Sequence, residues 1–260
     1  MKTVILAGGF GTRLSEKTQD IPKPMVEIGG RPILHHIMQI YSDYGHNEFV
    51  IALGYKAEIV REYFLHFYSL NNNLTVDLSS GQTIVHHKEQ TPWKVHLVDT
   101  GLMTQTAGRL KKLQSWIGHE RFMMTYGDGV AGIDIDHLIA FHESHGKLAT
   151  VLAVRPPSRF GELHFDGDLV TQFKEKPITE AGFVNGGFFV LEPEVFGFIG
   201  EEDVMWEQTP LQRLAAAGEL MGLRHEGFWQ PMDTLRDCRL LQNLWESGEA
   251  PWTMKGKVYS

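Results

Sequence analysis

Directly behind the short apolar run KTVILA (2–7) the chain turns to GGFGTRL (8–14), then to a polar stretch, and then to PKPM (22–25). An apolar run of this length that stops at glycines reads as a buried strand. Glycines placed just after a strand let backbone N–H groups come close to an anion, because no Cβ intervenes. Two familiar phosphate loops do not fit. Counted from Gly9, the dinucleotide spacing G-x-G-x-x-G finds Leu14 where its third glycine belongs, and the G-K-[ST] of a P-loop is missing. The glycines lead instead to Arg13 and then to Lys23, which lies between Pro22 and Pro24. Pro24 is expected to hold Lys23 in extended backbone, so that its ammonium is aimed at the loop. Strand, glycines and two cations together call for an anionic ligand at the end of the first strand.

The rest of the chain alternates strand-like runs with helical periods. Strands are expected at 48–54, 74–79, 94–100, 121–127, 148–154, 183–191 and 219–225. Helices are expected after Pro32, where Ile33, Ile37, Ile40, Tyr41 and Tyr44 share a face and Gly45 supplies a stop, and at 56–68, 106–116 and 208–217, with further starts at Asp134 and near 233. The segment ELHFDGDLVTQF (162–173) has Asp-Gly between alternating flanks and reads as a hairpin, so the sheet is expected to be mixed but mostly parallel. This pattern is that of a three-layer, doubly wound, Rossmann-like α/β fold, whose ligand crevice lies at the carboxyl ends of the strands. No linker or repeat breaks the 260 residues, so 1–260 reads as one domain, with 227–260 as its C-terminal helical extension.

Composition removes several classes of function. A net charge of −8 without a basic run argues against a nucleic-acid partner. The single cysteine, Cys238, excludes an internal disulfide framework and fits a reducing compartment. The apolar run before Gly8 is too short for a signal-peptide core, and no segment approaches the roughly 18 apolar residues of a membrane helix. A cytoplasmic protein without a membrane partner is the expectation.

LAGGFGTRL with PKPM resembles the signature of the sugar-nucleotide pyrophosphorylases, nucleotidyltransferases that join a nucleoside triphosphate to a sugar 1-phosphate. Further strings extend the resemblance nearly end to end: TAGRLKK (106–112), TYGDGVAGIDID (125–136), EKP (175–177), NGGFFV (185–190) and GFWQPMDTLRD (227–237). Together they resemble the glucose-1-phosphate cytidylyltransferases. The resemblance implies the nucleotidyltransferase fold, Mg²⁺ as cofactor, CTP and glucose 1-phosphate as substrates, and CDP-glucose and pyrophosphate as products. It also implies a homo-oligomer, a tetramer or hexamer, that supplies deoxysugars for lipopolysaccharide O-antigen.

By the same resemblance Leu6, Ala7, Gly8, Gly9, Phe10 and Gly11 face the nucleotide, Thr12 and Arg13 the triphosphate, and Lys23 the α-phosphate. Asp128 and Asp233 hold the metal; Glu175 takes sugar hydroxyls, Lys176 the sugar phosphate, and Asn185 a sugar or subunit contact. Thr104, Thr106 and Arg109 belong to the base-binding turn, although Gln105 stands where the family has a glycine. Read from position alone, Asp128-Gly129 is a turn, Asp233 a helix cap and Thr106 another cap.

Two rivals stay open on sequence alone. The transfer machinery does not name the base, so UTP or dTTP can replace CTP. Asp134-Ile135-Asp136 is a literal D-x-D, which would hold a metal and a nucleotide sugar in a glycosyltransferase, but it opens a helix and reads as a cap. His35-His36, His86-His87 and HESH (142–145) show no metal-ligand spacing and read as surface or partly buried helix residues, and Met123-Met124 reads as core.

Overall fold

A computed structural model of the chain describes residues 1–14, 18–86, 91–156, 162–166, 169–174, 182–201 and 203–253. Seven strands form the central sheet: β1 (Thr3–Leu6), β2 (Glu48–Leu53), β3 (Lys94–Asp99), β4 (Phe122–Tyr126), β5 (Ala149–Val154), β6 (Val184–Leu191) and β7 (Leu220–His225). Their spatial order is β7-β5-β6-β4-β1-β2-β3. All neighbours are parallel except β6, which runs antiparallel to both β5 and β4.

The strands read as continuous apolar runs because both faces are covered. Along β1, Ile5 faces one core while Val4 and Leu6 face the other; along β2, Phe49, Ile51 and Leu53 alternate with Val50 and Ala52 in the same way. The first core is closed by helices α1 (Ile33–Ser42), α2 (Ala57–Leu65), α4 (Ile135–His145) and α6 (Leu235–Glu246). The second is closed by α3 (Thr106–Lys112), α5 (Thr209–Ala216), and shorter turns at Gln114–Ile117 and Pro193–Phe198. Helix, sheet and helix give the three layers expected. At roughly 1.5–3 kcal/mol for each fully buried aliphatic or aromatic side chain, these two cores fix the strand ends from which the ligand loop springs.

The structure departs from the sequence reading in several places, among them the helix expected over 106–116, which is split at Leu113. The mixed character comes from β6, not from the hairpin: among the described residues, Glu162–Asp166 and Leu169–Lys174 pair only with each other. The run 74–79 is a strand, Asn73–Asp77, but it pairs with Gln82–His86 as a separate ribbon whose Val76, Leu78 and Ile84 are exposed. The helix expected over 56–68 breaks at His66 (φ −100°, ψ 9°) into α2 and a short turn Phe67–Asn71. The stretch from 227 opens with a strand, Trp229–Pro231, paired to Gly129–Ala131, before α6 begins. His35, His36 and His142, read as surface or partly buried, are buried outright, whereas Met123 and Met124 are core as expected. Among the described residues no helix is long and apolar enough to cross a membrane.

Candidate active site

The chain leaves β1 towards β2 on one side, while β4 lies parallel on the other, so a crevice opens where β1 and β4 end. Leu6 closes β1, and Ala7 N still donates to Ala52 O (3.1 Å) before the chain departs into the glycine loop. Tyr55 N donates to Gly8 O (3.2 Å), tying that loop to the turn after β2. Gly11 has φ +65°, and a Cβ there would lie 3.1 Å from Lys23 Cβ, so both its backbone and its neighbours favour glycine. Thr18 Oγ1 donates to Gly11 O (3.0 Å) and closes the far side of the loop.

The crevice is a cavity of about 450 Å³, bounded by Leu6 to Thr12, Lys23, Thr104, Thr106, Arg109, Asp128 and Asp233. Nearly all the residues assigned to nucleotide and metal therefore meet in one place, from segments far apart in sequence. Arg13 lies in the 3₁₀ turn Thr12–Leu14 that leaves the loop. Glu175 and Lys176 fall outside the described residues.

At one end of this cavity Lys23 Nζ sits between two carboxylates, 2.8 Å from Asp128 Oδ2 and 2.7 Å from Asp233 Oδ1. The extended residue is Pro22 (φ −70°, ψ 150°), not Lys23; Lys23 opens the 3₁₀ turn Lys23–Met25 with Pro24 inside it. The side chain is still aimed, because the turn is locked by Met25 N donating to Pro22 O (2.8 Å). Burial pulls the ammonium's pKa down, but the charge and hydrogen bonds of Asp128 and Asp233 outweigh it and hold the value above that of an ordinary lysine.

The two carboxylates reach Lys23 by separate devices. Asp128 stands in the turn between β4 and Gly129–Ala131. Asp233 does not cap α6: Thr234 does, in a capping box with Asp237, and Asp237 Oδ2 also accepts from Asp233 N (3.1 Å). With the helix end satisfied by its neighbours, the Asp233 carboxylate turns to the cavity. Met232 N donates to Asp128 O (2.8 Å), which clamps the two acidic segments together. Two carboxylates held this close around one cation suit a hard divalent ion that takes its remaining ligands from phosphate and water. Among the described residues no set of three His, Cys, Asp or Glu side chains is arranged to hold a metal.

Arg109 lines the cavity, yet both its terminal nitrogens are already committed. Nη1 donates to Leu53 O (3.0 Å), Thr100 Oγ1 (2.7 Å) and Gly101 O (2.8 Å), and Nη2 to Gly8 O (2.9 Å) and Leu102 O (3.2 Å). Assigned to the base-binding turn, it is a buried tie between the glycine loop, the end of β2 and the loop after β3. Gly8 is required for this, since a Cβ there would run into the guanidinium.

Elsewhere the cavity is lined by hydroxyl-bearing and apolar side chains. Thr104 Oγ1 donates to Thr100 O (2.6 Å) and accepts from Lys112 Nζ (3.0 Å). Thr106 does not cap α3; it is the first helical residue, Gln105 occupies the cap position, and the Thr106 hydroxyl donates to Glu207 Oε2 (2.9 Å) while accepting from Trp206 N (2.7 Å). Tyr126 also donates to Glu207, and Asn185 Nδ2 lies 3.5 Å from the Tyr126 hydroxyl. Asn185 Oδ1 accepts from Gly187 N (2.8 Å), so this side chain braces the turn rather than facing the cavity alone. Leu102, Met103 and Met205 supply exposed apolar surface beside Thr106. Sequence reasoning misses Tyr126, Met205 and Glu207; Tyr126 sits inside the TYGDG string, but nothing in the pattern around Met205 or Glu207 marks them.

The D-x-D pair plays no part here. Asp134 Oδ1 accepts from His137 N (2.9 Å) and caps α4, away from the cavity.

Residues 2–220 match the nucleotidyl transferase family. A glucose-1-phosphate cytidylyltransferase of Salmonella typhi is 52% identical over 253 residues, covering 97% of this chain and 98% of that protein. A mannose-1-phosphate guanyltransferase of Saccharomyces cerevisiae is 29% identical over 94% of this chain and 65% of its own length. Among solved structures, a UDP-glucose pyrophosphorylase complexed with UDP-glucose superposes with a TM-score of 0.67 at 16% identity, over 95% of this chain and 98% of the other, a likeness of fold. The chain belongs to the nucleotidyl transferase family, among the glucose-1-phosphate cytidylyltransferases.

Proposed function

We propose that the chain transfers the cytidylyl group of CTP to glucose 1-phosphate, releasing pyrophosphate and forming CDP-glucose. The observation that carries this reading is the Lys23–Asp128–Asp233 cluster at the charged end of a glycine-loop cavity, in a chain 52% identical to a cytidylyltransferase. An oxygen of the sugar phosphate attacks the α-phosphorus in line with the departing pyrophosphate. The nucleophile belongs to the substrate, so the protein aligns two anions and offsets the charge that develops between them.

The backbone from Leu6 to Gly11 approaches the nucleotide, the turn carrying Thr12 and Arg13 meets the triphosphate, and Lys23 offers its ammonium to the α-phosphate. Arriving phosphate oxygens compete with Asp128 and Asp233 for that ammonium. A divalent ion, Mg²⁺ by family resemblance, would be held by these same two carboxylates and would supply Lewis-acid charge neutralisation. Glu175 and Lys176 take the sugar and its phosphate on the strength of the EKP motif. Arg109 holds the glycine loop in place without touching phosphate.

The test offers each of CTP, UTP, dTTP and GTP with glucose 1-phosphate and Mg²⁺ and measures pyrophosphate release. CTP is expected to give the highest turnover. A preference for UTP or dTTP would replace the cytidylyl assignment with the corresponding uridylyl or thymidylyl one, and no release with any triphosphate would remove the transferase reading.

A further inference from the structure

The cavity that holds Lys23, Asp128 and Asp233 is also lined by Leu102, Met205, Thr106 and Tyr126. A triphosphate drawn to the cation leaves its nucleobase to the apolar and hydroxyl-bearing side chains.

The direction of the hydrogen bonds at those hydroxyls is set by one side chain. A carboxylate only accepts, so with Glu207 Oε2 taking the Thr106 proton at 2.9 Å and Oε1 taking that of Tyr126, neither hydroxyl has a proton to offer the cavity. Each keeps oxygen lone pairs. Trp206 N occupies one on Thr106, and the Asn185 amide approaches the Tyr126 oxygen only at 3.5 Å.

We infer that Glu207 is a specificity-determining positioning residue, which locks Thr106 and Tyr126 as hydrogen-bond acceptors and thereby selects a base carrying an exocyclic amine over one carrying a carbonyl at the same place. Cytosine presents N4–H₂ there, a donor that meets an acceptor; uracil and thymine present O4, an acceptor facing another acceptor. The inference rests on the cytidylyl reading above and explains how that choice is made outside the shared phosphate machinery.

In Glu207→Gln one acceptor oxygen becomes an amide donor. One hydroxyl is then freed to turn its proton into the cavity and can donate to O4. The measurement is kcat/KM for CTP and for UTP, with glucose 1-phosphate, in the wild type, Glu207→Gln and Tyr126→Phe. The CTP-over-UTP ratio is expected to fall by about tenfold or more in Glu207→Gln, the order that one well-made hydrogen bond contributes, and to fall in Tyr126→Phe, which keeps the ring and removes the hydroxyl. A purely structural role would lower both turnovers together. An unchanged ratio in both variants overturns the inference while leaving the cytidylyl reading intact, and a wild type that prefers UTP overturns the reading itself and the inference with it. Should Glu207→Gln lose its far-UV circular dichroism, the ratio in Tyr126→Phe decides.

Discussion

The two ends of the cavity are built on opposite plans. At the charged end, three segments carrying residues 23, 128 and 233 bring full charges into contact, with Lys23 nearly buried and its pKa raised by its partners. Elsewhere in the cavity, Thr106 and Tyr126 carry hydroxyl groups whose polarity is fixed by the exposed side chain of Glu207. The first plan suits a step that every member of the family performs, because any nucleotide brings the same phosphates. The second suits a choice that must differ between relatives, such as a cytidylyltransferase and a guanyltransferase. Reversing a few hydrogen bonds alters that choice without disturbing the transfer chemistry.

The largest effect is expected at Lys23. Lys23→Ala removes the cation that bridges Asp128 and Asp233 and should lower pyrophosphate release by about 10²–10³, the usual loss when a preorganised donor is removed from a developing charge. Far-UV circular dichroism should remain that of the folded protein; an unfolded variant would mean that the cluster holds the structure together before it serves the reaction.

Next comes the strut between the two ends. Arg109→Met takes a donor from the carbonyls of Gly8, Leu53, Gly101 and Leu102 at once, although Gly8 O keeps Tyr55 N and Leu53 O keeps Thr100 N. With roughly 1–3 kcal/mol at stake where a group is left unsatisfied, the unfolding free energy measured in urea should drop by about 1–3 kcal/mol. A stable Arg109→Met that loses activity with every nucleotide would instead make Arg109 a ligand of the phosphates.

The smallest expected effect is none. The sign at Tyr126 is that of an acid whose pKa is raised, so the phenolate is pushed to higher pH and the donor to Glu207 persists through the ordinary tyrosine range. The wild-type preference for CTP over UTP should therefore stay level from about pH 7 to about pH 8.5, below the range where the uracil ring of UTP itself ionises. A preference that decays near pH 8 would place an ionising group of the protein at the selective end.

Most of the charged end is legible in the sequence. Lys23 stands out because prolines bracket it, and Asp128 because it ends an apolar run at a glycine. Asp233 is ambiguous in sequence, and only the structure shows Thr234 and Asp237 taking over the cap. The selective end is far less legible. Thr106 is noticeable only within its string, and Glu207 follows a buried tryptophan in a loop with no periodicity, so its meaning depends on β4 and α3 arriving beside it. The same limit applies to topology: period-two patterns identify strands without naming partners, which is why neither the antiparallel run of β6 nor the separate ribbon of 73–86 is readable from sequence.

The division between the two ends is tested most directly by one quantity, the ratio of kcat/KM for CTP to that for UTP, in Lys23→Ala and Glu207→Gln side by side. Lys23→Ala is predicted to turn over both nucleotides slowly with the wild-type ratio kept, and Glu207→Gln to lose the ratio by about tenfold or more. A ratio that collapses in Lys23→Ala and survives in Glu207→Gln would contradict that division.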